Sequence, residues 1–226
     1  MKCYAKDVVA FAKSQIGYME KETNSNLESF KENAGGKNYN MYASLIDKTY
    51  PNFYNGKKNG FDWCDIFVDA CFLLCYGYEN TLKLLFQPEN SCGAGCTYSC
   101  KYYKDNNAFS YYPKIGSQVF FSNDNGKTCY HTGIVCDVTD THVTTIEGNS
   151  GNEVTEHIYP LSYNKIYGYG NPCYDVDTKK EWWKDAFNEA VTLGITDGTR
   201  ADEPATRKEV AIMVLRAYKL CRKEDV

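Results

Sequence analysis

The stretch FDWCDIFVDACFLLCYG, residues 61–77, limits the fold of this chain more than any other. Polar residues lead up to Cys64, and beyond it Ile66, Phe67, Val68, Ala70, Cys71, Phe72, Leu73, Leu74 and Cys75 leave hardly any face of a helix polar. A helix apolar on nearly every side must be packed all round, so the rest of the domain has to be arranged about it. With 226 residues, the chain has room for one good-sized core and a small appendage.

The flanking segments say what surrounds that helix. Val8, Val9, Ala12 and Ile16 form the stripe of an amphipathic helix over residues 4–16, ending at Gly17. From Lys21 to Gly60 the chain is rich in Asn, Gly and Lys, which predicts loops with one or two short helices around pieces such as MYASLI. The period then changes. SQVFF at 117–121, TGIVCDV at 132–138, HVTTIE at 142–147 and KIYGYG at 165–170 are short and rich in Val, Ile, Thr and aromatics, as strands are. Helices first and an antiparallel sheet afterwards predict an α+β domain over residues 1–174.

Residues 175–226 read as a separate small helical unit. EWWKDAFNEAVTLGI places Trp183, Ala186, Phe187, Ala190 and Val191 on one helical face and stops at Gly194. TRKEVAIMVLRAYKL opens with Thr206 and Glu209 at capping-box spacing and carries Val210, Met213, Val214, Ala217 and Tyr218 as a stripe.

Charge and hydropathy exclude whole classes of partner. The net charge is −4 without any block of Lys or Arg, so no nucleic acid is expected. No run of about 18 apolar residues exists, so no membrane insertion is expected. The opening MKCYAKDVVAFAKSQIGY has charges at Lys2, Lys6, Asp7 and Lys13 and helically spaced apolar positions, unlike an export signal. The expectation is synthesis in the cytoplasm, with any release by another route. Twenty tyrosines suit a groove for polar or peptide ligands, or simply a Tyr-rich surface.

Eleven cysteines is an odd number in a chain too large to depend on disulfides. Cys92, Cys96 and Cys100 recur every four residues in SCGAGCTYSC, the spacing that stacks them on one helix face. A zinc site needs a fourth ligand and closer pairing than this, so the expectation is no metal, and small buried thiols instead.

Cys64 is the cysteine placed to react. A thiol in the first turn of a helix feels unpaired backbone N–H groups, which favour thiolate and stabilise an oxyanion on a substrate carbonyl. The base must come from three histidines. His142 falls in a turn and His157 alternates with apolar neighbours on a water-facing strand, whereas His131 begins the strand YHTGIVCDV after the polar loop SNDNGKTC. If the following hairpin turns about Asp140, His131 lies opposite Asn149 and Gly133 opposite Glu147. His131, Glu147 and Asn149 then share one face of the sheet, with Ile134, Cys136, Val138 and Ile146 on the other. His131 would take the Cys64 proton and later protonate the leaving amine, while Glu147 or Asn149 accepts the other ring N–H. The plainer reading of Glu147 and Asn149 is that they close a turn in IEGNSGN.

With these residues assembled, residues 6–174 resemble a CHAP domain, the cysteine, histidine-dependent amidohydrolase/peptidase family with a papain-like core, related to NlpC/P60 proteins. QIGYMEK, FDWCDIFVDACF, SQVFF, YHTGIV, TTIEGNSGNEV and IYGYGNP carry the resemblance by their order and spacing. It implies N-terminal helices packed on an antiparallel sheet, with Cys64 as nucleophile, His131 as base, Glu147 as orienting acid and Asn149 as a supporting polar residue. It implies hydrolysis of amide bonds in bacterial cell-wall peptidoglycan, either as an endopeptidase or as an N-acetylmuramoyl-L-alanine amidase, and without a cofactor. More narrowly, the chain is similar to phage endolysins, which are made in the host cytoplasm and act at the wall after release.

Two features depart from that family's pattern. YPNFYNGKKNGFDWC has Lys57 and Lys58 and only Asp62 where some members carry an Asp-rich calcium loop, so no calcium is expected there. IGSQVFF has Ser117 in place of an acidic residue. The tail resembles one S-layer-homology repeat, implying wall binding or self-association. Two other functions stay open on the residues alone: an inactive wall-binding protein on a papain-like scaffold, and a thiol acyltransferase or amidase acting on a soluble substrate.

Overall fold

A computed structural model of the protein describes residues 1–90, 92–175, 187, 189–197, 199 and 205–221. The chain divides into two compact units, Met1–Asp175 and Val176–Val226. In the first, helices α1 (Ala5–Ser14), α2 (Met41–Thr49), α3 (Cys64–Leu85) and α4 (Cys96–Asp105) precede six strands. These are β1 (Phe109–Ser110), β2 (Gln118–Phe121), β3 (His131–Val138), β4 (His142–Ser150), β5 (Glu153–Pro160) and β6 (Ile166–Gly170). They form one sheet in the order β1-β6-β2-β3-β4-β5, every neighbouring pair antiparallel. The unit is α+β, as expected.

Helix α3 starts at Cys64 and is the centre of the core. Ile66, Phe67, Val68 and Phe72 have 0% exposure, and each such burial contributes about 1.5–3 kcal/mol. They cluster with Phe120, Ile134 and Ile146 of the sheet and with Val8 and Ala12 of α1. The packing is not complete all round: Leu74 is 47% exposed, and Gly77, at φ +71°, kinks the helix. Alternate strand residues Val119, Phe121, Val135, Val143 and Tyr169 form a second, smaller cluster.

Gly148 lets the first turns of α3 lie against β4. A Cβ there would stand 2.5 Å from Phe67 Cβ and 2.9 Å from Trp63 Cζ3, closer than carbon atoms approach. The helix start, and with it Cys64, is therefore positioned by a glycine in the EGN stretch.

Three sequence expectations are corrected here. Ile16 is 40% exposed, because α1 ends at Ser14 and the chain turns away at Gly17, φ +88°. Cys92 precedes α4, bridging to Tyr54 in extended conformation, so only Cys96 and Cys100 share a helix face. Val138 lies with Val135 in the smaller cluster and not with Ile134. Pairing runs Ile134 to Ile146 and Val135 to Thr145, then slips to Asp137 with Thr144 and Val138 with Val143. That bulge shifts one residue and reverses the faces beyond it. The expected hairpin register holds on the side nearer His131.

In the second unit, Thr206 and Glu209 form the expected capping box at the start of helix Arg207–Cys221. Glu209 accepts from the Thr206 N–H at 2.7 Å, and Thr206 Oγ1 accepts from the Glu209 N–H at 3.2 Å. Phe187 and residues 189–192 are helical, while Trp183 and Ala186 of the expected apolar face lie outside the described residues. Among the described residues, no helix is long and apolar enough to cross a membrane.

Candidate active site

Cys64 is the first helical residue of α3 and keeps 7% of its surface exposed. Its N-cap, Trp63, makes no side-chain cap, so the first-turn N–H groups lack the usual acceptor. One of them, from Asp65, favours the Cys64 thiolate. The Cys96 thiol, at the first residue of α4, lies 3.6 Å from it.

His131, the first residue of β3, lies close enough to Cys64 for each to shift the other's proton affinity, and it hydrogen-bonds Glu147, with Nε2 2.8 Å from Glu147 Oε2. Nε2 is thereby committed to the carboxylate, which leaves Nδ1 for the thiol. Phe121, paired across the strands with His131, supports the ring at a centroid distance of 5.7 Å. Glu147 is 1% exposed and also accepts from Thr145 Oγ1 at 2.6 Å and Tyr159 OH at 3.4 Å. Gly133 makes room for it, because a Cβ there would stand 2.6 Å from Glu147 Cγ.

The proton affinities follow from these contacts. The Cys96 hydrogen bond, working against burial and helped by His131 and the Asp65 N–H, lowers Cys64 to about 5. Burial pulls His131 down, but hydrogen bonds and opposite charge from Cys64 and Glu147 outweigh it and raise the imidazole to about 9. Between those limits the pair is a thiolate and an imidazolium, a nucleophile beside its own proton donor.

Asn149 is close by but does a different job from the one expected of an orienting residue. It sits at φ +56°, its amide oxygen accepts from the Trp63 N–H at 3.2 Å, and its nitrogen donates to Glu20 Oε2 at 3.3 Å. It therefore holds the residue before Cys64, and Glu147 alone of the two bonds the His131 ring. Glu20, 1% exposed, also accepts from Trp63 Nε1 at 2.8 Å and the Asn38 N–H at 3.0 Å. It fixes the N-terminal loop, Trp63 and Asn149 together.

A second clamp joins the residues next to the nucleophile and the base. Asp65, 2% exposed, accepts from Gln118 Nε2 at 2.9 Å and Ser99 Oγ at 2.8 Å, and the same Gln118 nitrogen donates to Thr132 Oγ1 at 3.1 Å. Asp65 follows Cys64 and Thr132 follows His131, so this bridge sets how closely helix and strand approach. Burial and the like charges of Asp69 and Cys64 push the Asp65 carboxyl well up.

Sequence reasoning passed over Glu20, Asp65 and Gln118, although a buried polar side chain inside an apolar segment always needs a partner. His157 also differs from expectation. It pairs across strands with Thr145, bonds Ser150 Oγ at 2.8 Å, and brings Nε2 to 4.0 Å from Glu147 Oε2. His142 is exposed and bonded to Thr141, but it is the first residue of β4, paired with Pro160, and not a turn residue. Among the described residues, no group of three or more His, Cys, Asp or Glu is placed to hold a metal.

Protein-family models were compared with the chain and none matches, and no curated protein matches it either.

Proposed function

We propose that this protein is a cysteine-dependent amide hydrolase of CHAP type, with a papain-like core, that cleaves the peptide part of bacterial peptidoglycan in the manner of an endolysin. The observation that carries the chemistry is His131 held between the Cys64 thiol and the buried Glu147 carboxylate. The ordered motifs from QIGYMEK to IYGYGNP support the substrate class.

In this reading the Cys64 thiolate attacks the carbonyl carbon of a wall amide while the first-turn N–H groups of α3 receive the developing oxyanion. The tetrahedral intermediate collapses as His131 gives its Nδ1 proton to the departing amine, leaving a thioester on Cys64. Neutral His131 then draws a proton from water, which attacks the thioester and releases the acid. Glu147 keeps the ring oriented in both steps and stabilises its charged form. The residues 175–226, similar to one S-layer-homology repeat, would bring the enzyme to the wall or to a second copy.

Zymography tests this reading. Wild-type protein in a gel cast with Gram-positive walls is expected to clear it, and Cys64→Ala and His131→Ala are expected not to. Undiminished clearing by Cys64→Ala rules the mechanism out.

A further inference from the structure

The second sulfur enters the proposed hydrolysis only as a hydrogen-bond partner that favours the Cys64 thiolate, and its position gives it a further role. Cys96 Sγ is 3.6 Å from Cys64 Sγ, and each residue is the first of its helix, α3 or α4. The two are 32 positions apart in the chain, so their meeting is a product of the fold and not of local sequence. Gly95 is the N-cap of α4, with extended backbone at φ −169°, and delivers Cys96 to this point without a cap side chain in the way. Cys64 and Cys96 keep 7% and 6% of their surface exposed.

We propose that Cys64 and Cys96 are a reversible dithiol–disulfide pair, in which Cys96 resolves oxidised Cys64 and oxidation switches off the site. The inference rests on the hydrolase reading only for its consequence, the loss of wall cleavage; the disulfide itself does not depend on it. A disulfide has an S–S bond of about 2.0 Å, so the sulfurs, 3.6 Å apart, need to approach by about 1.6 Å, a movement within reach of side-chain rotation at two helix starts.

The oxidant we name is a peroxide. The Cys64 thiolate attacks one peroxide oxygen, an S–O bond forms, the O–O bond breaks, and hydroxide leaves. Cys96 sulfur then attacks the Cys64 sulfenic acid. The S–S bond forms, the S–O bond breaks, and the Cys96 proton leaves with the hydroxyl as water. The two thiols have lost two electrons and the peroxide has gained them. A dithiol reductant returns both cysteines by exchange, itself becoming a disulfide. Neighbouring thiols are unequal in this chemistry. Cys71, further along α3, has 0% exposure, and burial pushes its thiol well up, so it stays protonated and inert. Cys100, one turn beyond Cys96 on α4, and Cys129 shift each other's proton affinity and are the second pair of neighbouring thiols, Cys100 being only 2% exposed.

Peptide mapping separates these outcomes. The reduced full chain is treated with a small excess of hydrogen peroxide, its remaining thiols are alkylated under denaturing conditions, and the digest is analysed by mass spectrometry. A cross-linked peptide joining Cys64 to Cys96 is expected, together with loss of wall clearing that dithiothreitol restores. In Cys96→Ser the same treatment is expected to give Cys64 sulfinic acid and a loss that dithiothreitol does not restore. Separate alkylated Cys64 and Cys96 peptides from treated wild-type protein, or cross-linking confined to Cys100 and Cys129, overturn the proposal. If reduced wild-type protein fails to clear walls while the Cys64–Cys96 cross-link forms, the hydrolase reading fails and the dithiol pair stands.

Discussion

Replacing His131 by Ala should make Cys64 a weaker acid, and the size of the change can be worked from its surroundings. Cys64 is held at about 5 against an ordinary 9.0, first by the Cys96 hydrogen bond and then by the hydrogen bond and charge of His131. At pH 7 a thiol with that pKa is about 99% thiolate. His131→Ala removes the imidazolium but leaves Cys96 and the Asp65 N–H, so the thiol should not return fully to its ordinary value. Loss of an opposite charge at hydrogen-bond distance moves a pKa by about 1–3 pH units, each worth about 1.4 kcal/mol. The assay is the rate of iodoacetamide labelling of Cys64 against pH, followed by mass spectrometry of its peptide so that other cysteines do not contribute. The midpoint should move from about 5 in the wild type to roughly 6–8 in the variant. Glu147 retains Thr145 and Tyr159 as donors, so the variant should fold, and circular dichroism checks that it has. A variant midpoint still near the wild-type one would show that the imidazole does not act on the thiol, and the reasoning would be refuted.

Other consequences can be tested beside it. Wall cleavage should follow a bell-shaped pH profile: Cys64 loses its thiolate as pH falls through about 5, and His131 loses its imidazolium as pH rises through about 9. A profile flat across that range contradicts the ion pair. Gly148→Ala should displace the start of α3 from β4, costing about 1–3 kcal/mol in denaturant melts and most of the cleavage activity. Gln118→Leu strips Asp65 and Thr132 of their shared donor, and should lower kcat by about tenfold or more with little change in binding. Asp69→Ala leaves Tyr54 OH and Gln87 Nε2, now 2.7 and 2.6 Å from the carboxylate, without their acceptor, and should destabilise the protein by about 3 kcal/mol in urea titration.

What could be read from the chain beforehand was what depends on near neighbours. The switch from polar to apolar at Cys64 located the start of α3, because a buried helix must announce itself in composition. A short turn about Asp140 set the pairing that places Gly133 against Glu147, and so brought His131 and Glu147 to one place. The same extrapolation failed at Val138, since one inserted residue in a bulge leaves no mark in a Val- and Thr-rich pattern. It also drew Asn149 toward the imidazole, whereas its left-handed backbone turns the amide to Trp63. Glu20 meets Trp63 from 43 positions away and Gln118 meets Asp65 from 53, distances over which a single chain shows no pattern. Such residues signal only that a buried polar group needs a partner, without saying which.

The chemistry of the ends produced from a purified wall tests the central proposal most directly. Peptidoglycan digested by the wild-type protein should release fragments whose masses and newly labelled amino groups, or freed muramic lactyl carboxyls, place the cut at an amide, and Cys64→Ala should release none. New reducing sugar ends in place of amide products, or equal release by the Cys64→Ala protein, would contradict an attack by that sulfur on a wall peptide.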